Sequence, residues 1–172
     1  NIFGSIRSIV TTIQGESSSA SFIDSIGWIG SLRNVELTDG YWVTIDGMGE
    51  LVVEGIPAHS EIVFSLHSGA NLISYPFSGS AAIGETIPVE TQASILGIIG
   101  EGVSAVNLDF GWTGALMDFE GLHGYWIITD SDISFSYDLS NESLSRKSNP
   151  YKAAEQPEGF EFAQSAHQAF YF

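Results

Sequence analysis

A sixteen-residue passage occurs twice in this chain and limits the folds open to it. It reads GWIGSLRNVELTDGYW from Gly27 to Trp42 and GWTGALMDFEGLHGYW from Gly111 to Trp126, and eight of its positions are identical. All four tryptophans of the chain lie in these two passages. An internal repeat predicts a chain built from copies of one module, rather than an enzyme built around one asymmetric active site.

Composition favours strands over helices and gives the chain enough apolar mass for a core. Of the 172 residues, 44% are hydrophobic and 19 are glycine, with many serine, threonine and β-branched residues. β-Branched residues fit the pleated surface of a sheet, and glycine supplies turns between strands. The length allows one or two domains.

Acidic residues dominate the charge, and cysteine is absent. Five lysines and arginines face 21 aspartates and glutamates, which gives a net charge of −16. A surface of this kind repels nucleic acid and anionic membranes, so we expect neither as a partner. Without cysteine the chain forms no disulfide and no thiolate metal site. No apolar run reaches the roughly 18 residues of a membrane span.

The acidity of the chain favours a location outside the cell, and its start indicates a processed piece of a longer protein. Asn1 opens the sequence without methionine and without the basic residues that begin a signal peptide. We therefore expect a processed piece of a longer protein. A strongly acidic surface keeps a protein soluble in salt, which fits a secreted, extracellular or cell-surface setting.

Two segments with helical spacing precede the repeated passages, at residues 5–14 and 90–102. Apolar residues recur there at the i, i+3 and i+4 intervals that place them on one side of a helix. They are Ile6, Ile9, Val10 and Ile13 in the first segment and Ile95, Leu96 and Ile99 in the second. The spacing predicts a short helix before each Gly-Trp pair.

Three pairs of strand-like runs predict β-hairpins. The paired runs are residues 41–45 with 50–54, residues 61–66 with 71–75, and residues 125–129 with 133–137. Each pair flanks a short turn rich in glycine, serine or aspartate. The hairpin of residues 61–75 has no counterpart before the first repeated passage, so we expect an uncovered edge in the first copy.

These elements predict a β-rich α+β fold of two pseudo-repeats, each a small antiparallel sheet covered by one short helix. The expected divisions are residues 1–60 for a first, incomplete module, 61–139 for a second module, 140–158 for a polar linker and 159–172 for an aromatic β tail.

The repeated motifs resemble a repeat module of large secreted and cell-surface bacterial proteins. The resemblance is carried by SGANLISYP at residues 68–76, Gly-Trp-x-Gly-x-Leu at 111–116 and Gly-Tyr-Trp at 124–126. It covers residues 5–139 in one and a half copies, and residues 157–172 are similar to the opening strands of a different module that often follows. The resemblance implies an architectural role and brings no catalytic residues or cofactor.

Aromatic residues of the repeat are the candidates for binding. The tryptophans are interpreted as core anchors, because large aromatic side chains that recur with a repeat are typical of a core. They are Trp28, Trp42, Trp112 and Trp126. Tyr41 and Tyr125 point to the opposite strand face from their tryptophan neighbours, so they are the candidates for surface binding, for example of a glycan.

Polar residues give no catalytic or metal-binding pattern. Asp130 with Asp132, and Asp46 with Glu50, are pairs of turn carboxylates, whereas calcium requires about six oxygen ligands. The four histidines, at positions 59, 67, 123 and 167, have no metal-binding spacing, and no serine lies in a nucleophile motif. The glycine-rich residues 97–102 are interpreted as a helix end rather than a phosphate loop. We therefore predict no enzyme activity, cofactor or metal.

The predicted function is that of a non-catalytic extracellular structural or adhesive module whose partners are other copies of itself or neighbouring modules. The aromatic tail is too apolar to leave in water, so we expect it to complete the sheet of a neighbouring copy and build a fibre by strand exchange. Its self-association residues are Phe160, Phe162, Phe170, Tyr171 and Phe172. The alternative is a carbohydrate-binding accessory module of a secreted hydrolase. The sequence leaves open whether the tail pairs within its own chain.

Overall fold

Fourteen strands form most of the regular structure in the computed structural model, which describes residues 3–53, 55–140 and the backbone of 169–171. The first seven are Val10–Gln14 (β1), Ser19–Ile23 (β2), Gly27–Gly30 (β3), Trp42–Ile45 (β4), Phe64–Leu66 (β5), Gly69–Tyr75 (β6) and Ser80–Ala82 (β7). The others are Ile95–Ile99 (β8), Ser104–Leu108 (β9), Gly111–Gly114 (β10), Asp118–Glu120 (β11), His123–Thr129 (β12), Ile133–Phe135 (β13) and Ala169–Tyr171 (β14).

Two five-stranded antiparallel sheets form the frame. The first has the order β14-β4-β1-β2-β3, and the second has the order β10-β9-β8-β12-β6. Strand β5 pairs with β13, and β7 pairs with β11. Two four-residue helices, Ile83–Thr86 (α1) and Val89–Gln92 (α2), lie between β7 and β8. Among the described residues, no helix has the length and apolar character that a membrane crossing requires.

The predicted fold class is wrong, because strands occupy the segments that were expected to be helices. Residues 5–14 contain only the 3-10 turn Gly4–Ile6 and then β1, and residues 90–102 contain the end of α2 and then β8. The protein is β-rich with several antiparallel sheets. It is not a pair of sheets that are each covered by one helix.

A β-bulge in each of these strands explains the misleading helical spacing. In β1 the register against β4 shifts between Val10 and Thr12, so Val10 and Ile13 are both buried although they are three residues apart. A register shift opposite β8 has the same effect on Ile95 and Ile98. A bulge inserts one extra residue into a strand and changes which side chains share a face. Apolar residues three apart therefore imitate a helix.

Strand pairing also differs from the predicted hairpins. Strand β6 pairs with β12 and β5 pairs with β13, so the runs predicted as two separate hairpins exchange partners. This pairing places Phe64 opposite Phe135, with ring centroids 5.8 Å apart. Residues 50–53 form no strand, and the Val52 N–H instead donates to Ser5 Oγ at 2.9 Å.

The described residues form two hydrophobic cores, and the larger one lies against the second sheet. The ring of Tyr75 is fully buried, with its centroid 5.3 Å from that of Phe119 and 5.1 Å from that of Tyr137. Aromatic pairs at these distances add favourable interactions to the burial of their area. The buried aromatic residues of this core are Phe64, Tyr75, Phe77, Phe119, Tyr125, Phe135 and Tyr137.

A smaller core lies against the first sheet. Its buried members are Ile6, Val10, Ile13, Tyr41, Val43 and Ile45. Phe3, Val35 and Leu51 pack against it but are only partly buried. Apolar side chains at the margin of this core therefore remain in contact with water.

The segment before β4 joins the two sheets. The Gly40 N–H donates to the Leu72 carbonyl at 2.9 Å, and the Ser74 N–H donates to the Thr38 carbonyl at 3.1 Å. These bonds run along the outer edge of β6, so residues 37–40 cover an edge of the second sheet while leading into the first. Backbone pairing of this kind fixes the relative position of the two sheets.

The C-terminal strand pairs within its own chain. Strand β14 lies antiparallel to β4, with Phe170 opposite Val43. Phe160, Phe162 and Phe172 lie outside the described residues, and so does nearly all of the predicted linker. Self-association through these aromatic residues stays a prediction, and so do the predicted domain limits.

Candidate functional site

An apolar cavity of about 520 Å³ lies where the two sheets meet. One wall comes from the segments on either side of β4, residues 35–37 and 51–53. The other wall comes from the end of β6 and the turn before β12, with Ser74, Pro76 and Leu122. This cavity is called the groove below. Its volume lies in the range of about 300–1,000 Å³ that is typical of small-molecule sites.

Large aliphatic side chains line the groove without being buried. Leu37, Val52, Val53 and Leu122 are each between 51% and 60% exposed. Single apolar residues are ordinary on a protein surface, but several around one cavity form a patch that is typical of a binding site. The groove therefore offers an apolar surface on the described part of the chain that remains exposed to water.

Leu122 has an unusual backbone conformation. Among the described residues it is the only non-glycine residue with a positive φ, at 63°. Its N–H donates to the Tyr75 carbonyl at 2.9 Å, and the Gly121 N–H donates to the Gly79 carbonyl at 2.6 Å, so the turn is held on both sides. The left-handed region costs a residue such as leucine about 1–2 kcal/mol.

Tyr41 lines the groove and organises its polar end. The Tyr41 hydroxyl accepts a hydrogen bond from the Glu36 N–H at 2.9 Å and donates to Asp39 Oδ2 at 3.4 Å. Burial raises the pKa of this hydroxyl, so Tyr41 is neutral at pH 7. A neutral hydroxyl donates to the Asp39 carboxylate without cancelling its charge.

Three acidic residues, Glu36, Asp39 and Glu50, are among those that line the groove. Asp39 Oδ1 also accepts a hydrogen bond from the Thr38 hydroxyl at 3.2 Å, which orients the carboxylate. No lysine, arginine or histidine of the described residues lines this cavity. The groove thus combines an apolar wall with negative charge.

A second, polar pocket of about 250 Å³ shares Asp39 and Tyr41 with the groove. It also contains His67 and Glu16, whose Nε2 and Oε1 atoms are 2.7 Å apart. Glu16 Oε2 accepts a hydrogen bond from the Leu72 N–H at 3.0 Å. Glu16 follows β1 and Leu72 lies in β6, so this carboxylate links the first sheet to the second.

Both ring nitrogens of His67 face acceptors. Nδ1 lies 2.8 Å from the Ser68 carbonyl oxygen, and Nε2 faces the Glu16 carboxylate. The hydrogen bond to Ser68, followed by that to Glu16, raises the pKa of the His67 imidazole. A carbonyl and a carboxylate can only accept, so this geometry suits the doubly protonated ring. His67 is therefore arranged as half of an ion pair rather than as a free general base.

The structure reverses the roles expected for the tyrosines and tryptophans of the repeat. Tyr41 and Tyr125 are each 4% exposed, so they are core residues rather than surface contacts. The Tyr125 hydroxyl accepts a hydrogen bond from the Glu120 N–H at 2.7 Å, which satisfies its polar atom inside the core. Trp28 is 38% exposed, and the other three tryptophans are half-buried. Strand alternation separates the two types as predicted, but it is the tyrosine that faces inward.

The polar turn residues have local partners. Asp132 Oδ1 accepts a hydrogen bond from the Ser68 N–H at 2.8 Å, and Asp130 Oδ1 accepts one from the Ser131 hydroxyl at 2.8 Å. Within residues 3–53 and 55–140, no group of three metal-ligating side chains is present. Residues 97–102 belong to β8 and the turn after it, so their interpretation as a helix end is wrong.

Sequence reasoning missed the groove because its parts are far apart in the chain. The sequence pattern predicts a strand at Val52 and Val53, and the left-handed position of the turn before β12 is occupied by Leu122 rather than by the glycine or asparagine that would mark it. The repeat contains one signal that could have indicated the groove. Leu37 and Leu122 lie in residues 37–39 and 121–123, the aligned positions just before Gly-Tyr-Trp, where the two copies differ.

Comparison with known proteins gives one similarity. No protein-family model and no solved structure matches the chain. The chain is similar to a curated UPF0301 protein of Psychrobacter cryohalolentis, with 30% identity over 114 residues, which are 63% of this chain and 56% of the relative. The chain thus spans little more than half the length of that relative.

This similarity overturns the function predicted from the sequence. The relative is described as a UPF0301 protein, not as a surface adhesin, a fibre subunit or a carbohydrate-binding module. The prediction of an extracellular adhesive module that forms fibres by strand exchange is therefore wrong, together with its carbohydrate-binding alternative. The resemblance to a repeat module of cell-surface proteins stays a prediction.

Proposed function

We propose that this chain is a non-catalytic binding protein that holds a predominantly apolar small molecule in the groove. Its volume and largely apolar lining are those of a ligand site with a few polar groups. Leu37, Val52 and Val53 are about half exposed, although they lie close to the smaller core. A ligand in the groove would remove their surface from water, which is favourable by about 25 cal/mol per Å².

Leu122 is the observation that carries the proposal. A left-handed backbone is unfavourable for leucine, and glycine or asparagine would adopt it at lower cost. The side chain does not offset this strain by burial, because it is 60% exposed on the groove wall. Strain of this kind is typical of functional sites, where the side chain has a use beyond folding. Contact with a ligand accounts for a leucine at this position.

A neutral fluorescent dye such as Nile red tests the proposal. We expect saturable binding, with the blue-shifted emission of an apolar environment. Leu122→Asn keeps a residue that tolerates the left-handed region but removes the apolar wall. It is expected to leave stability equal or raised and to weaken dye binding about tenfold, which corresponds to about 1.4 kcal/mol.

Leu108→Asn is the matched control, because Leu108 is an exposed leucine of β9 that does not line the groove. It should leave dye affinity unchanged. Wild-type affinity in Leu122→Asn, or equal losses in both variants, would contradict the proposal. The extracellular location stays a prediction, as does any partnership with further copies of the chain or neighbouring modules.

A further inference from the structure

We propose that the ligand of the groove is a small amphiphilic cation, whose apolar body lies against the aliphatic wall and whose positive head faces Glu36, Asp39 and Glu50. This inference rests on the proposed function and names the chemical class of its ligand. The apolar wall alone would accept a neutral lipid or an anion equally well. The charge around the groove distinguishes these classes.

Three acidic residues from two stretches of chain line the groove. Glu36 and Asp39 precede β4 and Glu50 follows it, so the fold, not a local acidic run, brings them to one cavity. Carboxylates on one apolar cavity repel each other and attract a counter-charge. The net charge of −16 adds a negative field that draws cations toward the surface.

The protein supplies no such counter-charge among its described residues. The two ion pairs found there, His59 with Glu61 and His67 with Glu16, involve none of the groove carboxylates. Asp39 is held by the neutral hydroxyls of Thr38 and Tyr41, which leave its charge in place. A ligand cation would complete this arrangement.

Aromatic residues in the lining favour a cation of the ammonium type. Phe3 and Tyr41 are both among the residues that line the groove; Phe3 is half-buried, and Tyr41 is only 4% exposed. Aromatic faces attract ammonium groups, and combinations of aromatic rings with carboxylates recognise quaternary ammonium ligands in particular. A trimethylammonium head has an apolar surface as well as a charge, so it suits a cavity that is mostly apolar.

The groove suits a small molecule better than an extended peptide. A peptide strand binds through a free row of backbone groups. Here some backbone groups near the cavity already have partners: the Val52 N–H donates to Ser5 Oγ, the Gly40 N–H donates to the Leu72 carbonyl, and the Thr38 carbonyl accepts from the Ser74 N–H. The lining stretches 35–37 and 51–53 form no strand that a peptide could extend, so we expect side-chain contacts and charge to select the ligand.

Three decyl amphiphiles of different charge test the inference. They are n-decyltrimethylammonium, the neutral n-decyl dimethylphosphine oxide and n-decyl sulfate, each used to displace Nile red below its micelle concentration. We expect the cation to bind at least about tenfold more tightly than the neutral compound, and the sulfate most weakly. Added sodium chloride should weaken cation binding and leave the neutral compound unaffected.

Charge-neutral variants separate a local effect from the field of the whole protein. Glu36→Gln and Glu50→Gln should each reduce cation affinity several-fold without changing the affinity for the phosphine oxide. Glu90→Gln is the control, because it removes the same charge from an exposed residue of α2 that does not line the groove. It should leave the preference for the cation intact.

The outcomes distinguish this inference from the function on which it rests. Equal affinity for the cation and the neutral compound, or equal effects of Glu50→Gln and Glu90→Gln, would overturn the cation and leave the apolar site standing. Failure of all three amphiphiles and of the dye to bind would overturn both. Binding of a basic apolar peptide with none of the amphiphiles would also overturn the inference.

Discussion

The two five-stranded sheets share the arrangement of their inner strands but differ in what covers them. The strand order β4-β1-β2-β3 of the first sheet matches the order β12-β8-β9-β10 of the second. The core against the second sheet has sixteen buried residues, of which seven are aromatic. The core against the first sheet has six, of which one is aromatic, and the groove lies beside it. Sheets with a similar strand order thus have different roles. We expect the second sheet, with its larger core, to contribute most of the stability, whereas the first leaves apolar side chains exposed in the groove.

The largest expected effect comes from cutting into the second core. Phe119 is fully buried between Tyr75 and Tyr125, so Phe119→Ala should lower the free energy of unfolding by about 3–5 kcal/mol. Val43→Ala in the first sheet should cost only about 1–2 kcal/mol. Urea unfolding measures both, and Phe119→Leu gives a milder variant that folds. An equal loss for Val43→Ala and Phe119→Ala would break the comparison.

Glycines at the ends of β3 and β10 test where the two sheets are alike. A Cβ at Gly30 would lie 2.1 Å from the Ser19 carbonyl oxygen, and one at Gly114 would lie 2.1 Å from the Ser104 carbonyl oxygen. Both have a positive φ, at 144° and 150°. Gly30→Ala and Gly114→Ala should therefore each cost more than the roughly 1–2 kcal/mol of an unfavourable φ alone.

Gly27→Ala and Gly111→Ala separate the clash from the strain. Both positions have a positive φ, but an added Cβ would meet no atom within 4 Å at either of them. They should cost only the strain of about 1–2 kcal/mol. Thermal unfolding of the four variants checks this order, and a Gly30→Ala variant no less stable than Gly27→Ala would show that the hairpin adjusts.

Local sequence patterns predicted strand positions better than strand partners. The run from Tyr125 to Thr129 lies within β12, because its β-branched and aromatic residues favour a strand wherever it pairs. Its pairing with β6, more than 50 residues earlier in the chain, depends on which aromatic residues pack together and is not visible in alternation. The bulge at Thr11 likewise has no local signal, so Val10 and Ile13 imitated a helix.

The groove was beyond prediction for a related reason. Glu36 and Glu50 are ordinary surface acids in the sequence, and they become neighbours of one cavity only when residues 37–40 bind to β6. Leu122 carries no sequence mark of its left-handed backbone. The general acidity of the chain was visible, but its concentration beside an apolar wall is a property of the tertiary fold.

A smaller effect is expected from the equivalent tyrosines of the two sheets. Tyr41→Phe and Tyr125→Phe each leave a backbone N–H, of Glu36 or Glu120, without its acceptor, which costs about 1–3 kcal/mol. Burial raises the pKa of Tyr125 to about 12 and also raises that of Tyr41. Both hydroxyls are therefore neutral in the wild type at pH 7, and each substitution removes a neutral group. Only Tyr41→Phe should also lower affinity for decyltrimethylammonium, because Tyr41 donates to Asp39. If Tyr41→Phe and Tyr125→Phe had equal effects on affinity, the Tyr41 hydroxyl would have no specific role in binding at the groove.

The smallest expected effect concerns the joint between the sheets, where His67 meets Glu16. The folded state raises the pKa of His67 above its ordinary value of 6.5. The stability that this pair contributes is therefore fully present below pH 6.5 and is lost as pH rises through the folded-state pKa. Urea unfolding from pH 5.5 to pH 8.5 should show this loss in the wild type, a smaller loss in Glu16→Gln, where the bond of His67 to the Ser68 carbonyl remains, and no such loss in His67→Gln.

His59→Gln is the control for that series, because His59 pairs at 3.9 Å with Glu61, an exposed residue two positions away in the same loop. It should retain the pH dependence of the wild type, since its partner does not join the sheets. The shape of the transition adds a second reading. If unfolding of His67→Gln occurs in two steps, with the first sheet unfolding before the second, then the His67–Glu16 pair couples the smaller core to the larger one. A single transition with unchanged pH dependence would instead assign the coupling to bonds that His67 does not make, namely those of residues 38–40 to β6 and that of Glu16 to the Leu72 N–H.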